Sequence, residues 1–195
     1  RITSGHAMPR DLVALRSSLE LIPAIRSSLT AIQNLPPNLV DNLHPCSEAL
    51  SILSTAISDD PPATLQNSGI IKKGYSKDLD TIYTSSKDAR SWIANLEKSE
   101  KQRTGIKTLK VSYNKVFGYY IEISNSYLNQ IPEEYIRKQT LVNGERFITP
   151  EMKEYESIVL NAEDRIHQLE VELFREICLK LTSFINDISS TAQAI

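Results

Sequence analysis

The hydrophobic period of this chain changes between Gly105 and Thr149, and a stretch of alternation set between two long helical patterns admits few folds. Leu109, Val111 and Tyr113 alternate with Thr108, Lys110, Ser112 and Asn114, as on a half-buried strand. A turn follows at Asn114-Lys115-Val116-Phe117-Gly118. Alternation then resumes, with Tyr119, Ile121 and Ile123 on one face and Tyr120, Glu122 and Ser124 on the other, so the two runs read as a hairpin. A second hairpin is expected from Tyr135 to Val142 and Glu145 to Thr149 around Asn143-Gly144, where a type I′ turn would use the tolerance of Asn and Gly for φ > 0.

If the four strands alternately leave and return to the helices, both turns fall at the end far from them. Asn114, Lys115, Asn143 and Gly144 would then share one distal edge, with Lys110, Lys138 and Arg146 behind it. Such donors suit phosphate oxygens, which accept hydrogen bonds from Lys, Arg, Asn and main-chain N–H without regard to sequence. An ordinary solvated hairpin end has the same composition, and pattern alone leaves both readings open.

A net charge of −2 over 195 residues is no global signature of nucleic-acid binding. Residues 105–150 are slightly more basic, with Lys107, Lys110, Lys115, Arg137, Lys138 and Arg146 against Glu122, Glu133, Glu134 and Glu145. Cys46 and Cys178 show no paired spacing and read as reduced thiols in a cytoplasmic protein. No apolar run approaches membrane length, and no signal peptide is visible. The chain starts at Arg1 rather than Met and enters helical sequence almost at once, which reads as an excised piece of a longer protein.

Met8-Pro9-Arg10-Asp11-Leu12 opens a helix with Leu12, Leu15, Leu19 and Ile22 at helical spacing. Pro23 is expected to punctuate it, a second short helix running on to Pro36-Pro37. Another pair is expected around Leu39 to Leu43 and from Pro45 to Ile57, the latter with Leu50, Leu53 and Ile57 buried. Residues 63–75 read as extended, consistent with a small hairpin. Ser76 caps a long helix whose stripe is Leu79, Ile82, Ser86, Ala89, Ile93 and Leu96, a rod of roughly 40 Å. Thr149-Pro150-Glu151 starts another, expected to reach nearly to Ile188, a rod of about 60 Å. Its stripe is Val159, Ala162, Ile166, Leu169, Leu173 and Ile177, then Leu181, Phe184, Ile185 and Ile188, while Glu170 to Glu176 reads as a solvated face. The fold class is therefore α+β, with two long antiparallel helices carrying a small antiparallel sheet. The expected divisions are 1–104, 105–149 and 150–195.

Catalytic and metal chemistry lack partners. His6, His44 and His167 are scattered, and His44-Pro45-Cys46 lacks the second pair of a zinc site. Gly69-Ile70-Ile71-Lys72-Lys73-Gly74 has its lysines before the closing glycine and no Ser or Thr after it, unlike a phosphate-binding loop. Glu133-Glu134 and Asp59-Asp60 are sequence neighbours that do not converge on one substrate. No enzyme is expected in this piece, and no cofactor or metal.

Three blocks closely resemble the clamp region of the bacterial MutS DNA mismatch-repair family. They are Leu109-Lys110-Val111 with Gly118 to Ser124, Arg137 to Leu141 with Asn143 to Phe147, and Pro150 to Glu156. Pro9-Arg10-Asp11-Leu12 with Leu15, and Gly69-Ile70-Ile71 with Gly74-Tyr75 and Leu79-Asp80, look like the lever, or core, domain of that family. The resemblance implies a lever segment with its clamp, drawn from a homodimeric protein that encircles duplex DNA. It implies non-specific backbone contacts at Asn114 and Lys115 and at Val142 and Asn143. Relatives can carry Lys where this chain has Val142, so that position would offer only its main chain. The Phe-x-Glu mismatch reader and the ATPase motifs are not seen, so ATP and Mg are expected only in an absent domain, and the isolated piece is expected to be a monomer. The alternative is a coiled-coil spacer whose β head binds a protein, in line with the near-neutral charge and with Phe117, Tyr119, Tyr120 and Tyr127.

Overall fold

The computed structural model describes residues 1–32 and 40–194. They form two compact units, residues 1–80 with 166–195, and residues 81–165. The divisions fall inside the two long helices, α3 (Lys77–Thr104) and α4 (Pro150–Thr182), which contribute residues to both units.

In the first unit, α1 (Pro9–Thr30) begins where Asp11 accepts the Met8 N–H at 2.8 Å and returns its own N–H to the Met8 carbonyl. The helix buries Leu12, Arg16, Leu19 and Ile22. Pro23 lies within it: the expected stop is not made, because a proline on an exposed face forfeits one backbone bond while half-buried Ile25, Arg26 and Leu29 carry the packed face past it. Pro36-Pro37 and Leu39 lie outside the described residues; of the helix expected around Leu39 to Leu43, Val40 and Asp41 are helical and the Leu43 N–H closes a turn on the Val40 carbonyl at 3.2 Å.

The next helix, α2 (Ser47–Ala56), buries Ala49, Leu53 and Ala56, with Leu50 half-buried. The hairpin expected in 63–75 is instead one antiparallel bridge, Ile57 to Ile71, flanked by Ser58 N–H to the Ile70 carbonyl and Lys72 N–H to the Ala56 carbonyl. Its anchor contradicts the solvated reading of 170–176. Glu170 is fully buried and accepts N–H groups from Gly69 at 2.7 Å and Ile71 at 3.3 Å. The buried line of α4 thus runs through Ile166, Glu170, Phe174, Ile177 and Leu181. That helix ends at Thr182, and α5 (Ile185–Ala194) follows a turn at Ser183-Phe184, so the single helix expected to Ile188 is two. Both cysteines are free, and burial raises both thiols, Cys178 to about 11.

In the second unit the paired helices carry the sheet. Trp92 stacks on Tyr155 with centroids 4.1 Å apart, Arg90 reaches Glu163 at 2.5 Å, and Ala89, Ile93 and Val159 are buried together. Residue numbers rise on α3 as they fall on α4, so these stretches are antiparallel, as expected. The strands are β1 (Lys110–Asn114), β2 (Gly118–Ser124), β3 (Ile136–Thr140) and β4 (Gly144–Ile148). All pairings are antiparallel, in the order β1-β2-β4-β3. Ile121, Ile123, Phe147 and Ile148 pack with Leu96, Ile106, Leu109, Tyr135 and Met152 to form the core. Thr149 caps α4 by accepting the Met152 N–H at 3.0 Å.

Candidate nucleic-acid interface

The register of β2 against β4 decides where the two turns lie. Ile121 faces Phe147 and Ser124 faces Gly144, so the second turn sits beside the C-terminal end of β2. The first turn, which joins Asn114 to Gly118, sits at the N-terminal end of the same strand. The expected shared edge does not exist: the turns are at opposite ends of the sheet, separated by the length of β2, about 20 Å. The reason is the segment between β2 and β3. Its 3-10 helix, Asn125–Gln130, and the residues up to Tyr135 carry the chain back along the sheet, so β3 runs parallel in direction to β2 rather than returning beside it.

The first turn is fastened to α4. Glu156, buried, accepts the Tyr119 N–H at 2.8 Å and the Lys153 ammonium at 2.5 Å, and that ammonium also donates to the Phe117 carbonyl at 3.3 Å. Asn114, half-buried beside exposed Lys115, closes a local turn by accepting the Val116 N–H at 2.8 Å on its side-chain oxygen. Val116 and Phe117 are 80% and 48% exposed, so Phe117 is not part of the small core of the sheet. Tyr119 and Tyr127 do pack against that core.

The second turn differs from its expected type. Neither Asn143 nor Gly144 has a positive φ, and the pair is closed by the Leu141 N–H donating to the Gly144 carbonyl at 2.8 Å, around Val142 and Asn143. Glycine is needed at 144 for another reason: a Cβ there would lie 2.4 Å from the Ile123 carbonyl oxygen of the neighbouring strand. Around this end a shallow hollow gathers Thr108, Lys110, Glu122, Ser124, Leu141, Asn143 and Gly144. Ser124 donates to Thr108 at 2.9 Å and lies 2.9 Å from the Ser126 hydroxyl, so hydroxyls line the approach to exposed Lys110. Val142 is 91% exposed.

Of the remaining candidates, Lys138 is exposed at an irregularity of β3, between Arg137 and Gln139. Arg146 is engaged within the sheet: it donates to Glu122 at 2.9 Å and Gln139 at 3.0 Å and lies 4.3 Å over the Tyr120 ring. Sequence reasoning missed Asn125, which holds the second turn, and Glu97, which accepts the Val111 N–H at 3.1 Å and ties β1 to α3. The Lys101 ammonium, followed by that N–H, keeps the Glu97 carboxyl below its usual range. Among the described residues no three His, Cys, Asp or Glu side chains come together as a metal site would require, and no helix is long and apolar enough to cross a membrane.

Fold and site define a class of module: a four-stranded insert on paired antiparallel helices, with cationic, amide and hydroxyl groups at the sheet ends. Residues 74–165 match the model of MutS family domain IV, close to the limits of the second unit. Over its whole length the chain is 43% identical to the DNA mismatch repair protein MutS of Acetivibrio thermocellus and 45% identical to that of Alkaliphilus metalliredigens, in each case over 22% of that protein. It is 46% identical to the MutS of Methanothrix thermoacetophila, over 23% of that protein. The chain belongs to the MutS family, as a segment spanning under a quarter of the length of these relatives.

Proposed function

We propose that this segment serves DNA mismatch repair by gripping the phosphate backbone of duplex DNA through the ends of its sheet, and by coupling that grip mechanically to the rest of the protein through α3 and α4. The observation that carries the reading is the end built from Lys110, Ser124 and Asn143 within the stretch matched to MutS domain IV. Ammonium, hydroxyl and amide donors complement phosphate oxygens and read no base, so matched and mismatched duplexes should bind alike. Asn114 and Lys115 form a second, separate contact at the other end of β2, with Lys138 as a further cation. Arg146, held by Glu122, supports the sheet and does not reach for phosphate.

In this reading the residues described carry no catalysis. Hydrolysis of ATP with Mg belongs elsewhere in a full-length cytoplasmic homodimer. The test is a salt titration of duplex binding by the chain and its variants. Lys110→Ala and Lys115→Ala should each weaken binding uniformly across sequences and reduce the slope of log affinity against log salt by about one. Unchanged affinity for both at low salt would defeat the proposal. The exposed Val116, Phe117 and Tyr113 favour a second reading, in which the first turn docks on a protein. A complex that survives salt high enough to abolish phosphate contacts would select it.

A further inference from the structure

Two successive carbonyls at the exposed tip of the second hairpin are held by one residue. Asn125 donates its side-chain amide to the Val142 carbonyl at 3.1 Å and its main-chain N–H to the Asn143 carbonyl at 3.1 Å. Carbonyl oxygens carry partial negative charge, and at a tip facing a polyanion they would repel it. Tied back to Asn125, they face the sheet instead. The planar trans peptide then fixes the opposite group: with the Val142 carbonyl turned inward, the Asn143 N–H points away from Asn125. Lys110 and Asn143 border the same hollow, which brings the two residues to one place on the surface.

We infer that Asn125 is a positioning residue that orients the tip for phosphate capture, so that the main-chain N–H of Asn143 donates to a phosphate oxygen while Lys110 neutralises its charge. This rests on the DNA-binding reading and adds to it a donor that no side-chain substitution at Val142 would supply. It also explains how an apolar Val142 is compatible with contact at this tip: its carbonyl is used for anchoring, while its side chain is 91% exposed.

The experiment is an amide-resolved NMR titration of the 195-residue chain with a duplex oligonucleotide, alongside affinity measurements on Asn125→Ala, Asn125→Ser and Lys110→Ala. In the unsubstituted chain the Asn143 amide should be among the most strongly shifted. Asn125→Ala should weaken binding about three- to ten-fold, the effect of one hydrogen bond made or lost, with the salt slope unchanged because no charge is removed. Asn125→Ser, which keeps a short donor, should recover part of the loss. Lys110→Ala should instead lower the slope by about one. Amide shifts remote from the tip, unaltered in Asn125→Ala without DNA, check that the fold is kept. Equal affinity of Asn125→Ala and the unsubstituted chain, with Lys110→Ala weakened, would overturn the role of Asn125 alone. Loss of neither would overturn the DNA reading beneath it.

Discussion

Gly118 answers two demands at once. Its φ of +76° lies where L side chains are strained, and a Cβ at this position would come within 1.7 Å of Glu156 Oε1. That oxygen is not free to move, since it accepts the Tyr119 N–H and its carboxylate is bound by Lys153. Gly118→Ala should therefore cost roughly 2–4 kcal/mol, combining backbone strain with loss of the buried acceptor. Gly144 has only the second kind of demand. Its φ is not positive, and the conflict is with the Ile123 carbonyl, part of the backbone. Gly144→Ala should cost roughly 1–3 kcal/mol, by prising β4 from β2. Urea unfolding followed by Trp92, the single tryptophan, measures both, because this ring stacks on Tyr155 within the same unit. Unchanged midpoints would show that the sheet relaxes freely at both places.

At the scale of elements, the C-terminal end of α3 is joined to the sheet by a charged cluster. Arg103 donates to Glu100 at 3.1 and 2.7 Å and pairs with Glu134 at 2.7 Å, while the Tyr135 hydroxyl donates to Glu100. Burial alone would raise the Glu100 carboxyl, but Arg103 and Tyr135 outweigh it, and the net shift is downward from 4.5. A carboxylate lowered in the folded state stabilises it fully above its unfolded pKa and loses that contribution as pH falls through the folded value. Stability of this unit should accordingly drop as pH is lowered from about 5 towards 3, and Glu100→Gln should flatten that part of the profile. Identical pH profiles for the two proteins would show that the cluster does not store stability.

The same scale shows what the sequence could and could not disclose. Both hairpins, the caps at Ser76 and Thr149, and the stripe from Leu79 to Leu96 were legible because each rests on local periodicity or capping chemistry. The direction of β3 was not, since it depends on how the chain travels from Asn125 to Tyr135. That stretch is too long for a hairpin loop, and its length was the available signal that the strands do not simply alternate. Arg146 and Glu122 lie cross-strand only in the β2–β4 register, so their pairing was hidden with it. The expected shared edge was therefore not legible, because the strand direction that separates the two turns is set by that connecting stretch.

For the whole molecule, two compact units that share helices invite the question of whether they lose structure together. Glu170 offers a lever on the first unit, because Gly69 and Ile71, whose N–H groups it accepts, lie there. Glu170→Ala would leave two N–H groups short of their acceptor beside the bridge of Ile57 and Ile71, at a cost of roughly 2–4 kcal/mol. A sequence reading places this glutamate on a solvated face because charged residues rarely sit fully buried. The exception arises where irregular backbone must pack against a helix and its N–H groups need an acceptor. Hydrogen exchange resolved by residue separates the outcomes. If the units open independently, Glu170→Ala should strip protection from Ile57, Ile70 and Ile71 while Ile121, Ile123 and Phe147, in the core of the sheet, exchange as before. Equal loss of protection in both sets would mean that α3 and α4 bind the two units into one cooperative fold, and that strain applied to the first is felt at the ends of the sheet.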